Sequence, residues 1–260
     1  VIPSDAWNDS CGRKEAKESA KESWNNYWHM VNNGVPKEKL IYVFHMNEPL
    51  YWLEKVIKSE IPYIGLSPNT KSDFHNKKNW LDRVMNVACD NEGYPRAKYH
   101  GFGVSSLPLI LQYPWFSVDS TYWIYRGRYG EVIMPRPDRN KWIYDKNSWI
   151  ISFTPHTPSG ASRHYDKLTP NKKKVVDTYL EQCGYKVGRS VHKRVTSTYK
   201  LKKNELWIKK GKKVDVPLVW GLSNDYAQRL ELNAMYFMEL EKRITPWPWP
   251  YKKRKKKFFL

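Results

Sequence analysis

The stretch YPWFSVDSTYW, residues 113 to 123, sets one acid, Asp119, inside an aromatic and β-branched run. A strand of that composition tolerates a carboxylate only where a partner or a chemical role holds it. Ser117, Ser120 and Thr121 flank Asp119, and their hydroxyls are placed to hydrogen-bond the carboxylate and keep it ionised. An ionised Asp at a strand end is a candidate nucleophile; the structural alternative is an Asp that caps the following loop.

Other polar residues and glycines recur in the same kind of place. Asp5, His45 with Glu48, Gly65 with Ser67, His100 with Gly101 and Gly103, and Asp119 all close short apolar runs. Gly101 and Gly103 leave room for a flat ring to approach the backbone, although turn glycines need no ligand. His45 and Glu48 are placed either to reach a ligand or to satisfy each other as a core histidine and a helix-start acid. Phe102, Trp115 and Tyr122 are stacking candidates or core. Arg126 and Arg128, just beyond Asp119, are candidate phosphate contacts.

The elements that must carry these residues alternate. VIPSD (1 to 5), LIYVFHM (40 to 46), PYIGLSP (62 to 68), AKYHGFG (97 to 103) and FSVDST (116 to 121) read as strands. Between them lie helical segments, the first closed by Gly34. Strict alternation implies parallel strands joined by right-handed crossovers, so the loops after the strands converge on one face. Residues 124 to 154 read instead as antiparallel hairpin material, with Gly, Pro and Asn turns. TPNKKKVVDTYLEQCG follows as a helix, with Thr169 as its cap and Gly184 at its end. SNDYAQRLELNAMYFMELEKR is a long amphipathic helix with Leu230, Ala234, Phe237 and Leu240 at helical spacing. WPWPYKKRKKKFFL is an extended tail.

Charge is concentrated. The chain carries a formal +19 over 260 residues, yet residues 185 to 218 hold eleven bases against two acids, and 251 to 260 add six bases and no acid. Both segments read as footprints for a polyanion, most simply nucleic acid; a solvated loop and a solubilising tail are the alternative. Cys11, Cys89 and Cys183 are far apart and form no CxxC pair, which fits a reducing compartment and argues against a zinc knuckle. No apolar run reaches membrane-spanning length.

The ordered set VIPSD, FHMNE, YIGLSP, KYHGFGVSS and SVDSTYWIYRGRYG resembles the tRNA-guanine transglycosylase superfamily, and within it the phage and bacterial relatives that place 7-deazaguanines in DNA. The resemblance covers roughly residues 1 to 155. It implies an α/β fold of (β/α)8 TIM-barrel type, with the last five β/α units evident here, followed by a basic α+β appendage. The implied domains are a barrel part over 1–155, a helical region over 156–250 containing the basic insertion 185–218, and a basic tail over 251–260.

The resemblance further implies a nucleoside transglycosylase that exchanges guanine in DNA for a 7-deazaguanine, in a phage as a defence against restriction. Asp119 stands where the family has its nucleophile, whose carboxylate stabilises an oxocarbenium-like transition state and forms a covalent glycosyl intermediate. Asp5, His45, Gly65, Gly101 and Gly103 would contact the base. Arg126, Arg128, Lys252, Lys253, Arg254 and Lys255 would contact the nucleic acid. The same exchange on tRNA, or a nucleic-acid-binding barrel remnant without chemistry, are the alternatives.

No cofactor is implied, and the family's cysteine-rich zinc site has no counterpart in this sequence, so no metal is expected. The first three barrel strands and the second catalytic aspartate also lack counterparts. The expectation is that they lie upstream in a longer product or on a partner chain, or that the enzyme is incomplete. A cytoplasmic location is expected, that of the host for a phage protein.

Overall fold

The computed structural model describes residues 13–69, 71–139, 141–154 and 163–252. The expected strand VIPSD, with Asp5, and also Cys11 and the tail residues Lys253, Arg254 and Lys255 lie outside the described residues. The chain divides into two compact units, one drawn from 1–120 and 245–260, the other from 121–244.

The first unit is built on four parallel strands, β1 (Tyr42–His45), β2 (Tyr63–Ser67), β3 (Lys98–Gly101) and β4 (Ser117–Val118), which neighbour one another in chain order. Each crossover carries a helix, α2 (Leu50–Lys58), α3 (Phe74–Ala88) or α4 (Leu107–Gln112), and α1 (Arg13–Asn32) precedes the sheet. Phe44, Ile64, Leu66 and Tyr99 are fully buried along the strands, as are Leu53 and Val56 of α2 and Leu81, Val84 and Met85 of α3. Complete burial of each such side chain is worth about 1.5–3 kcal/mol. Burial on both faces gives β1 and β2 continuous apolar runs, whereas β3 alternates and β4 is half-buried.

Local signals set the helix ends. Asp73 caps α3, its carboxylate accepting the Asn76 N–H at 2.8 Å. Gly34, just beyond α1, takes φ +89°, a conformation that stops a helix at little cost only for glycine.

A carboxylate holds the end of the chain onto this unit. Asp82 on α3 accepts hydrogen bonds from Lys78, Tyr113 and Tyr251, at 2.6, 2.9 and 2.9 Å. Burial alone would raise the Asp82 carboxyl, but these three bonds outweigh it and hold the group below its ordinary range. Tyr251 also stacks on Tyr113 and donates its backbone N–H to the Gly93 carbonyl at 2.8 Å. The tail has no helix up to Lys252, as its prolines require, and Tyr251 is buried.

The second unit opens differently from expectation. Tyr122–Arg128 is a helix, α5, and antiparallel pairing starts only at Glu131, with β5 (Glu131–Met134) against β8 (Trp149–Ser152) and β6 (Arg136–Asp138) against β7 (Lys141–Ile143). The aromatic and β-branched content of YWIY mimics a strand. The helix is closed by Gly130 at φ +80° and carries Arg126 over the Tyr122 ring, an i,i+4 contact of 4.7 Å.

Helix α6 (Pro170–Gln182) follows, then a sheet ordered β10 (Leu206–Lys209), β11 (Lys213–Val219), β9 (Arg189–Arg194), and finally α7 (Tyr226–Glu241). Val132, Met134, Ile151, Phe153, Val176, Leu180, Leu222 and Leu232 form the core. Thr169 sits at the α6 cap position without a side-chain capping bond, and Gly184 beyond it takes φ +79°.

The buried face of α7 is Arg229, Leu232, Asn233, Tyr236 and Leu240, so of the expected stripe only Leu240 is fully buried. Two polar side chains displace it because they complete the backbone bonding of α5 and β5. Arg229 donates to the Gly127 and Leu222 carbonyls, while Asn233 accepts from Ile133 N and donates to the Trp123 and Glu131 carbonyls. These bonds also place the unit boundary at residue 120; the boundary expected near 155 falls inside the second unit.

Candidate active site

One face of β2, β3 and β4 brings Tyr63, His100 and Ser117 together, and Asp119 follows at the carboxyl end of β4. Parallel pairing sets His100 opposite Ser117 and Gly65 opposite His100. Asp119 lies just beyond β4, where its backbone N–H donates to the Gly101 carbonyl at 3.2 Å. Its side chain is 59% exposed, so the acid in the aromatic run is not a buried charge: the strand ends one residue before it.

One hydrogen bond fixes the carboxylate, and an imidazole lies near it. Oδ1 accepts the Gly103 N–H at 2.7 Å, and His100 Nε2 stands 3.7 Å from the same oxygen. Gly103 has φ +63°, a left-handed turn that aims its N–H at Asp119 and that a residue with a Cβ adopts only with strain.

The Ser117 hydroxyl does not bond Asp119 as its position in sequence suggested. It meets His100 Nδ1 at 2.7 Å and the Tyr63 hydroxyl at 2.6 Å, so the imidazole stands between serine and aspartate. Burial lowers the His100 pKa and the Asp119 charge offsets this only in part. Burial thus prevails and favours the neutral imidazole over the protonated one.

The other expected base contacts divide. A Cβ at Gly65 would meet the Phe102 ring at 2.3 Å, and one at Gly101 would meet Val104 at 2.9 Å and Trp115 at 3.2 Å. The space at both glycines is thus filled by the protein's own side chains, whereas nothing lies within 4 Å of a Cβ at Gly103. Trp115 is core, with its indole N–H on the Leu109 carbonyl. Phe102 packs edge-on against His100, ring centroids 4.4 Å apart.

His45 and Glu48, both buried, satisfy each other. Glu48 accepts the His45 backbone N–H at 3.1 Å, lies 3.0 Å from His45 Nδ1, and accepts the Ser19 hydroxyl at 3.0 Å. Beside them, at the carboxyl end of β1, opens a pocket of about 500 Å³ lined by Asn47, Glu48, Leu50, Trp80 and Arg83 among others. The Trp80 indole nitrogen is buried without a hydrogen-bond partner among the described residues. Asn47 takes φ +81°, in the positive-φ range that asparagine adopts more readily than other non-glycine residues.

The expected nucleic-acid contacts also divide. Arg126 is tied to Glu131 at 2.5 Å and lies over Tyr122, whereas Arg128 and Lys252 are exposed. Sequence reading missed Tyr63 and Ser117 as a linked pair, and it missed Trp80 and Arg83. Those partnerships depend on strand register and helix facing, which no local motif records. Among the described residues no three His, Cys, Asp or Glu side chains cluster to hold a metal ion, and no helix is long and apolar enough to cross a membrane.

Parallel strands in chain order, with a carboxylate and glycine turn at their carboxyl ends, define a mixed α/β protein with a candidate active site on one sheet edge. No known protein family, curated protein or solved structure compared with the chain matches it.

Proposed function

We propose that the protein is a transglycosylase that exchanges guanine in DNA for a 7-deazaguanine, with Asp119 as the nucleophile. The observation that carries the reading is an accessible carboxylate at a parallel strand end, fixed by the Gly103 N–H at 2.7 Å. An Asp oxygen attacks the sugar's anomeric carbon as the bond to guanine breaks, and the electron pair leaves with the base, which takes up a proton. The incoming deazaguanine then gives up its ring proton, attacks the same carbon and releases the carboxylate. Proton uptake and release balance over the cycle.

Three further features support it. Strands in chain order, each crossover carrying a helix, are what a (β/α)8 barrel segment requires, because a doubly wound sheet reverses its order at a switch point. The pocket beyond β1, about 500 Å³ and lined by Glu48, Trp80 and Arg83 among others, has the size of a small-molecule site. The basic segment 185 to 218 supplies affinity for a polynucleotide.

The test is incorporation of a labelled 7-deazaguanine into DNA, with any missing barrel segment supplied. Asp119→Asn should reduce incorporation by roughly three orders of magnitude or more, the scale expected when a nucleophile is lost. Incorporation at the wild-type rate by this variant would remove Asp119 from the reaction. Competing tRNA against DNA in the same assay reads the substrate class.

A further inference from the structure

The sheet of β9, β10 and β11 gathers like charges in a way that its own stability does not favour. Arg194 on β9 pairs with Lys213 on β11, and Lys213 pairs in turn with Lys209 on β10. Three cations thus stand in one row across three strands, spanning about 10 Å at the usual strand spacing. Directly opposed like charges destabilise a sheet. The turn that joins β10 to β11 adds exposed Lys210 and Lys212 to the end of this row.

The two acids of the segment do not relieve the repulsion. Glu205 accepts from the Tyr199 hydroxyl at 2.8 Å and the Lys202 N–H at 2.8 Å, which holds its carboxyl below the ordinary range. Asp215 is 3% exposed and lies 3.3 Å from His192. Among the described residues, none of the eleven bases of this segment forms an ion pair.

We propose that the Arg194–Lys213–Lys209 row, with Lys210 and Lys212, is a binding surface for the sugar-phosphate backbone of the DNA substrate. The identity of the partner rests on the function proposed above; the surface itself rests on the register. A regularly spaced polyanion neutralises a row of cations that the fold leaves unpaired, and it releases condensed counterions as it does so. The contact is independent of base sequence, so it positions the nucleic acid and leaves selection of the base to the site in the first unit.

The test is the salt dependence of binding to a mixed-sequence DNA duplex, measured by fluorescence anisotropy without deazaguanine so that no exchange occurs. The variant R194Q/K209Q/K213Q should lower the slope of log K against log salt by about 2.7, the value for three lost phosphate contacts on duplex DNA. A control variant of equal charge, K146Q/K167Q/K174Q, removes three lysines elsewhere in the same unit and should change the slope by less than one.

The thermal midpoint of the row variant at low salt should equal or exceed wild type, because repulsion is relieved; a lower midpoint counts against the row as a repulsive cluster. An unchanged slope, or equal losses from both variants, overturns the surface. Loss of binding to phosphatidylserine vesicles with DNA binding intact would assign the row to a lipid surface and also overturn it. Exchange activity is read separately: a slope that falls while exchange is absent keeps the surface and removes the transglycosylase, and the converse removes only the surface.

Discussion

At the scale of single residues, the candidate site turns on a half-buried imidazole beside an exposed carboxylate. His100 is held below its ordinary value of 6.5, first by burial and against the pull of Asp119. The unfolded chain therefore takes up a proton near that value while the folded chain resists until lower pH. Stability contributed by His100 is complete above the ordinary value and is lost as pH falls below it. Urea unfolding of wild type and His100→Gln between pH 5 and 7.5 should show the wild type losing stability more steeply on the acid side. Parallel profiles would mean that His100 titrates alike in both states. Asp119 stood out in the sequence as an acid inside an apparently buried run, but it lies beyond the strand with its side chain 59% exposed. Its partners were not legible there, because the Gly103 N–H and the His100 ring reach it only through strand pairing and a left-handed turn.

At the scale of elements, the parallel strands and their helices could be read almost directly, because buried runs closed by polar residues leave few alternative periods. Helix α5 and the face of α7 could not. In α5 the composition of YWIY argues for a strand, while the Arg126 contacts with Tyr122 and Glu131 that hold the helix are side-chain events. In α7 the apolar spacing pointed to Leu230 and Phe237, but hydrogen bonding placed Arg229 and Asn233 inside. Asn233 is fully buried and serves one backbone N–H and two carbonyls. Asn233→Ala leaves all three without their partner and should cost roughly 3 kcal/mol, read as a lowered urea midpoint at unchanged m-value. A loss under 0.5 kcal/mol would mean that water replaces the side chain.

At the scale of the molecule, the chain leaves its first unit at residue 120, completes the second, and returns at 245. Among the described residues Tyr251 helps secure that return, with its hydroxyl on Asp82, its ring on Tyr113, and its N–H on Gly93. Gly93 is chosen for the contact, since it sits at φ +96° and a Cβ there would meet the Tyr251 carbonyl oxygen at 2.6 Å. Tyr251→Ala removes one of the four side-chain donors on the Asp82 carboxylate, Lys78, Gln112, Tyr113 and Tyr251, together with a buried ring, and truncations of this size cost about 3–5 kcal/mol. The bonds named here all lie within the first unit, so the loss is expected there. Hydrogen exchange should therefore speed up at the amides of β2, β3 and α3 in Tyr251→Ala and stay unchanged in α6 and α7. Equal acceleration in both units would show that they unfold as one, and that the returning segment stabilises the whole chain rather than the unit it rejoins.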